Sequence, residues 1–258
     1  MIVDGLIFKM KNQRAQVAVF VIIAIVVLIA VVVLFFSKTN LENNSNISKD
    51  VRPVYSYVED CIKEVGNEAV YYVGQSGGYF IVPEPSPDGN IPYYLYEGSN
   101  YMPSKERVSE ELSLYMNFIL PFCINDFEDF VDFEITSEDI QTQAIIDDEK
   151  VFFQVNYGLS IVKEDATYTL NDFEVGIPVR LGVMYDAIEE VMTEQMEEKT
   201  AVCISCLYDI GQRYDLDFHI LDTNETESIL FVARDEDLKI YDEDYLFYFM
   251  NKLEEELE

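Results

Sequence analysis

Tryptophan is absent from this 258-residue chain, histidine occurs once, and basic residues are few, 17 against 49 acidic ones. Each scarcity removes a class of function. A net charge of −32 leaves no basic footprint with which to hold a phosphate backbone, which argues against nucleic-acid binding and keeps the surface away from anionic headgroups. A solvated surface that resists self-association is the plain reading of that charge. His219 has no second histidine with which to share a metal, and no G-x-S-x-G turn offers it a serine nucleophile. The acid clusters "NDFEDFVDFE", "DDE", "DEDLKIYDED" and "EEELE" do not follow the calcium-loop pattern, with its glycine and distal glutamate. With so many acids, a carboxylate pair suited to glycoside hydrolysis arises without meaning. No metal or cofactor is implied, and no solenoid-type repeat is present.

What the chain does have is one long apolar run. Residues 17–36, "VAVFVIIAIVVLIAVVVLFF", are 20 positions without a polar side chain. As a helix rising about 1.5 Å per residue they span a hydrocarbon core of about 30 Å. A removable secretory signal has a shorter apolar core and a small-residue cleavage site, whereas this run ends in Phe35-Phe36-Ser37-Lys38. Lys9, Lys11 and Arg14 precede it and an acidic chain follows, which places the N-terminus in the cytoplasm and the remainder outside. The expected organisation is a cytoplasmic segment at 1–16, a transmembrane helix at 17–36 in the lipid bilayer, a polar stalk at 37–53 and an extracytoplasmic domain at 54–258, with any internal seam near 127–138. The chain is therefore expected at the plasma membrane with its bulk extracellular.

Cys61, Cys123, Cys203 and Cys206 form an even set on the outward side, where disulfides persist. Asn43, Asn46 and Asn224 head N-glycosylation sequons.

Apolar spacing predicts a helix over 54–73, with Cys61 on its buried stripe, and a second over 104–119, stopped by Pro121 just before Cys123. Four cysteines allow three pairings, and a bridge between Cys61 and Cys123, joining these two helices, is the preferred one. Between these helices lies a glycine- and proline-rich loop with short strands. From 151 to 161 the period becomes two, with Val151, Phe153, Val155, Tyr157, Leu159 and Ile161 on one face. Flanked by 140–146 and 167–178, this reads as an antiparallel meander. Helices follow at 181–191 and 202–213, then strands at 216–221, 228–233 and 245–250. Strands grouped apart from helices predict an α+β fold.

Two features invite a functional reading. Cys203-Ile204-Ser205-Cys206 is a CxxC at a predicted helix start, where the helix dipole favours one thiolate and the second thiol resolves a mixed disulfide. No thioredoxin-like βαβ pattern surrounds it, so a structural bridge explains it equally well. Tyr72, Tyr79, Tyr93, Tyr94, Tyr96 and Tyr101 crowd the glycine-rich stretch. Tyrosine offers flat amphipathic contact area at small entropic cost, which suggests a surface for an extracellular protein or glycan. Packing onto the two flanking helices is the alternative.

The N-terminus, with its bases, Arg14-Ala15, Gln16 and the apolar helix, resembles the class III, pilin-type leader of archaeal surface proteins. That resemblance implies cleavage after Ala15 and an assembly helix at 17–36. Many pilins carry Glu at the fifth mature position, where this chain has Phe20. The segments "CIKEVGNEAVYYVGQSGGYF", "IPYYLYEG" and "CISCLYDIGQRYDLDF" are similar to single-span proteins of small-genome archaea. The resulting expectation is a membrane-anchored, non-enzymatic cell-surface binding or scaffolding protein. A self-assembling pilin-like subunit and a tethered thiol-disulfide oxidoreductase are the alternatives.

Overall fold

The computed structural model describes residues 47–87, 89–223 and 226–255. The segment 17–36, the leader positions Ala15 and Gln16, and the sequon residues Asn43, Asn46 and Asn224 lie outside them. Among the described residues no helix is long and apolar enough to cross a membrane. Pro53–Glu258 form one compact unit.

The unit is α+β. Helix α1 (Arg52–Gln75) leads through a loop to the short strands β1 (Tyr93–Tyr96) and β2 (Ser99–Asn100), then to helix α2 (Lys105–Ile124). Four strands follow, β3 (Glu134–Ser137), β4 (Gln141–Ile146), β5 (Lys150–Lys163) and β6 (Ala166–Pro178). Helices α3 (Leu181–Glu197) and α4 (Ile204–Tyr214) precede the last strands, β7 (Asp217–Asp222), β8 (Ser228–Ile240) and β9 (Glu243–Lys252). One sheet runs β2-β1-β9-β8-β7, antiparallel except where β1 lies parallel to β9. In the other, β6 pairs with one edge of β5 while β3 and β4 pair with the other, all antiparallel.

The expected meander is present, and the six alternating side chains from Val151 to Ile161 are all buried. Strand β3 is an addition, drawn from a stretch whose acids and aromatics carry no clear period. Helix α1 crosses both sheets. A side chain at Gly66 would meet Ile177 and Phe153 at 3.1 Å, and one at Gly74 would meet the Leu246 carbonyl at 2.8 Å. Tyr55 stacks on Phe173 at 5.1 Å between ring centroids. In the five-stranded sheet Tyr94, Phe249 and Phe231 form a stacked column with centroids 4.9 Å apart.

Helix α2 departs from expectation. Pro121 does not stop it: the helix continues to Ile124, where Asn125 caps it in the left-handed conformation and donates its backbone N–H to the Pro121 carbonyl. Proline removes a donor but leaves its own carbonyl free to accept. The terminal carbonyls of Cys123 and Ile124 accept from the Tyr57 hydroxyl at 2.9 and 3.2 Å, so the last turn is held by α1. Helix α2 also covers a sheet edge. Asn117 Oδ1 and Ser113 Oγ accept the N–H groups of Thr142 and Ala144 at 2.9 Å, and Ser109 Oγ donates to the Ala144 carbonyl. Three polar side chains at four-residue spacing thus satisfy backbone groups that an edge strand leaves open.

Candidate functional site

Helix α2 carries a third stripe, apolar and largely exposed. Leu114, Phe118 and Phe122 are 46, 60 and 71% exposed. Ring contacts continue the stripe sideways: Phe118 lies 6.1 Å from Phe122 and 5.8 Å from Phe80, and Phe80 lies 5.1 Å from Tyr115 and 6.1 Å from Tyr72. Ile81, beside Phe80, is 72% exposed.

This apolar surface is braced from beneath. Glu111 on α2 is buried, and its Oε2 accepts the backbone N–H groups of Phe80 and Ile81 at 2.9 and 3.3 Å. Arg107 pairs with the other carboxylate oxygen. The turn before Phe80 uses Gly77 at φ +59°, where an added side chain would also strike Pro92 at 2.6 Å, and the buried Tyr94 hydroxyl donates to the Gly77 carbonyl at 3.0 Å. The Phe80–Ile81 tip is therefore fixed in place by paired polar groups. At its margin Tyr115 holds its phenol proton well above the ordinary tyrosine range, because burial disfavours the phenolate and Glu68 beside it adds to the effect.

The six tyrosines predicted as a contact surface divide. Tyr79, Tyr93 and Tyr94 are buried and Tyr96 is half-buried, while Tyr72 and Tyr101 are exposed. The buried rings are corrected to core: Tyr94 stacks in the aromatic column, Tyr93 bonds Ser228 Oγ at 2.8 Å, and burial pushes the Tyr79 hydroxyl up. Only Tyr72 belongs to the braced apolar surface. Phe118, Phe122, Ile81 and Glu111 were missed, although the i, i+4 spacing of Leu114, Phe118 and Phe122 beside a complete core stripe was a readable signal that α2 is apolar on more than one face.

Both cysteine pairs are bonded. Cys61–Cys123 joins α1 to α2 across 62 positions of sequence, with Cys61 buried. Cys203–Cys206 closes over the start of α4, away from the braced surface in sequence and in element. Cys203 is the N-cap of α4, and its Sγ accepts the Cys206 backbone N–H at 3.2 Å. Both cysteines are half-buried, and Glu194 Oε2 on α3 lies 3.8 Å from Cys206 Sγ. Behind them the buried Gln195 donates to the carbonyls of Glu198 and Ala201 at 2.5 and 3.0 Å, fixing the approach to Cys203.

His219 lies on the outer face of the five-stranded sheet, at a shallow cleft of about 580 Å³ shared with Leu221, Val232, Leu246 and Tyr248. The cations there are spent on one another's counter-ion: Lys239 and Arg234 both bind Asp244, at 2.9 and 2.8 Å, and hold its carboxyl below the usual carboxylate range. Among the described residues no group of three or more His, Cys, Asp or Glu side chains converges as metal ligands. Compared with family models, curated proteins and solved structures, the chain matches none.

Proposed function

We propose that this chain is a single-pass surface protein, anchored through 17–36 with its N-terminus inside, whose α+β unit binds a second protein outside the cell. The anchor rests on the 20-residue uncharged run and its basic flank. The binding half rests on one observation, an exposed strip of Ile81, Leu114, Phe118 and Phe122 in which a buried carboxylate fixes the Phe80–Ile81 backbone. A pre-organised apolar surface of this kind loses little entropy on association. The occupant is a protein segment with an apolar ridge and basic flanks. The strongly acidic chain favours a basic partner through charge complementarity.

Two measurements test the two halves. External protease applied to intact cells carrying the full-length chain is expected to remove 54–258 and leave a protected fragment ending near 36; a chain that resists digestion until lysis overturns the orientation. A leucine–lysine amphipathic helix serves as probe for the strip. It is expected to bind the parent protein and to lose at least tenfold in affinity with Phe118→Ser/Phe122→Ser. Equal affinity for both proteins overturns the docking surface. The pilin-like alternative draws on Arg14-Ala15-Gln16; peptide mapping that finds a native chain beginning at Gln16, enriched in sheared filaments, makes it the better reading.

A further inference from the structure

We infer that Cys203–Cys206 is an exchange site that accepts electrons from cysteine pairs of other polypeptides, a chemistry independent of both the anchor and the apolar strip. The motif lacks a thioredoxin-like setting, but the reaction requires local features, and four are present. The bond is accessible at the first turn of an eleven-residue helix. When the bond opens, Cys203 remains at the N-cap, where the Cys206 N–H already points at its sulfur and the helix dipole favours negative charge. Cys206 instead faces the Glu194 carboxylate, which disfavours a second thiolate and provides a proton acceptor. Finally, Ile204 and Tyr208, one turn apart on the same helix, are 64 and 67% exposed and offer apolar surface close in sequence to the motif for an unfolded or extended segment.

These features assign unequal roles. A substrate thiolate attacks Cys203 Sγ; the Cys203–Cys206 bond breaks, and Cys206 leaves with the electron pair and takes up a proton from solvent, relayed by the Glu194 carboxylate beside it. The second substrate thiol, having released its proton to solvent, attacks the substrate sulfur bonded to Cys203, forms the substrate disulfide and expels Cys203 as the thiolate. The substrate has lost two electrons and gained a disulfide, and this pair has become a thiol and a thiolate. A low-molecular-weight disulfide reverses the same two steps and restores the bond, being itself reduced to two thiols. A purely structural bond has no need of this asymmetry, and a bridge across only 3 positions constrains little chain.

The test uses the detergent-solubilised full-length protein with glutathione as the probe. Cys203–Cys206 is expected to open at glutathione ratios that leave Cys61–Cys123 closed, and Cys203 is then expected to alkylate at least about tenfold faster than Cys206 at pH 7. Cys206→Ser should accumulate glutathione on Cys203, whereas Cys203→Ser should not accumulate it on Cys206. Glu194→Gln should slow the opening of the Cys203–Cys206 bond by thiolate attack and flatten its pH dependence, without altering the later release of Cys203 from the mixed disulfide. The double variant Cys203→Ser/Cys206→Ser, with an unchanged circular dichroism spectrum, should lose all exchange. The inference is overturned if the pair resists glutathione as Cys61–Cys123 does, or if the two freed thiols react at equal rates. Should Cys206→Ser not fold, alkylation of the partly reduced parent protein decides between these outcomes.

Discussion

The two disulfides are the same bond in opposite surroundings. Cys61–Cys123 lies between two helices, one sulfur's residue fully enclosed, and closes a span of 62 positions. Cys203–Cys206 lies at a helix start near solvent and closes a span of 3. A cross-link acts chiefly by restricting the unfolded chain, and the restriction grows with the length enclosed. The first bridge therefore belongs to the architecture, and the second stands free for chemistry. Burial and reach, not the presence of a CxxC, separate the two roles.

Removing each pair is the harshest way to break this comparison. Chain-entropy arguments give about 4 kcal/mol for the long span and about 2 kcal/mol for the short one. Cys61→Ala/Cys123→Ala is expected to lower the urea midpoint roughly twice as far as Cys203→Ala/Cys206→Ala. Equal losses would mean that the exposed bridge supports the fold in a way its position does not reveal.

Much of this architecture was legible. Helix α1 and the meander follow from apolar period, because each element buries one face, and Cys61–Cys123, the preferred one of three possible pairings, is the bond present. What failed to read out has specific causes. By local rules Pro121 ends α2, but Tyr57, 64 positions earlier, supplies the hydrogen bonds that carry the helix past it, and no local rule contains that contact. Tyr79, Tyr93 and Tyr94 read as surface because tyrosine suits both a wet face and a core whose hydroxyl is paired; their partners, Gly77 and Ser228 among them, are set by tertiary packing. Glu194 carries no sequence signal at all. Its relation to Cys206 arises only when α3 and α4 pack together.

A second comparison concerns buried charge. Glu111 is 1% exposed and accepts two backbone N–H groups besides its ion pair. Glu111→Ala leaves those donors unpaired, and the expected cost is about 2–3 kcal/mol. Thermal denaturation measures the cost. Faster amide exchange confined to Phe80 and Ile81 would locate it, and the probe helix should bind more weakly as the tip loosens.

Alkaline titration asks whether the regions around the two bridges unfold together. Burial pushes the Tyr55 hydroxyl on α1 and the Tyr185 hydroxyl on α3 up to about 12 from 10.0. For each, the folded state favours the neutral phenol. That contribution is intact below pH 10 and is lost as pH rises through 12. Because Pro53–Glu258 form one compact unit, ultraviolet phenolate absorbance and far-ultraviolet circular dichroism are expected to change in one coincident transition above pH 10. Two separate transitions would show that the α1 and α3 regions are independently stable.

The smallest expected effect lies beside the exposed bridge. Arg213 on α4 pairs with Glu190 on α3 at 2.7 Å, but the arginine is 56% exposed and the glutamate 30%. Solvent screens such a pair, and ordering two long side chains offsets most of what attraction remains. Arg213→Ala is therefore expected to cost about 0.5 kcal/mol or less, well under the loss for Glu111→Ala, although each removes one partner of an ion pair. A larger loss, abolished in high salt, would show that α4 depends on this contact to stay against α3. The geometry that sets Glu194 beside Cys206 would then share that dependence, and exchange at Cys203 would fall with the same substitution. A small loss with unchanged exchange leaves the α3–α4 packing to Leu207 and Ile210, which are buried, and keeps the chemistry of the exposed bridge separate from its surface charges.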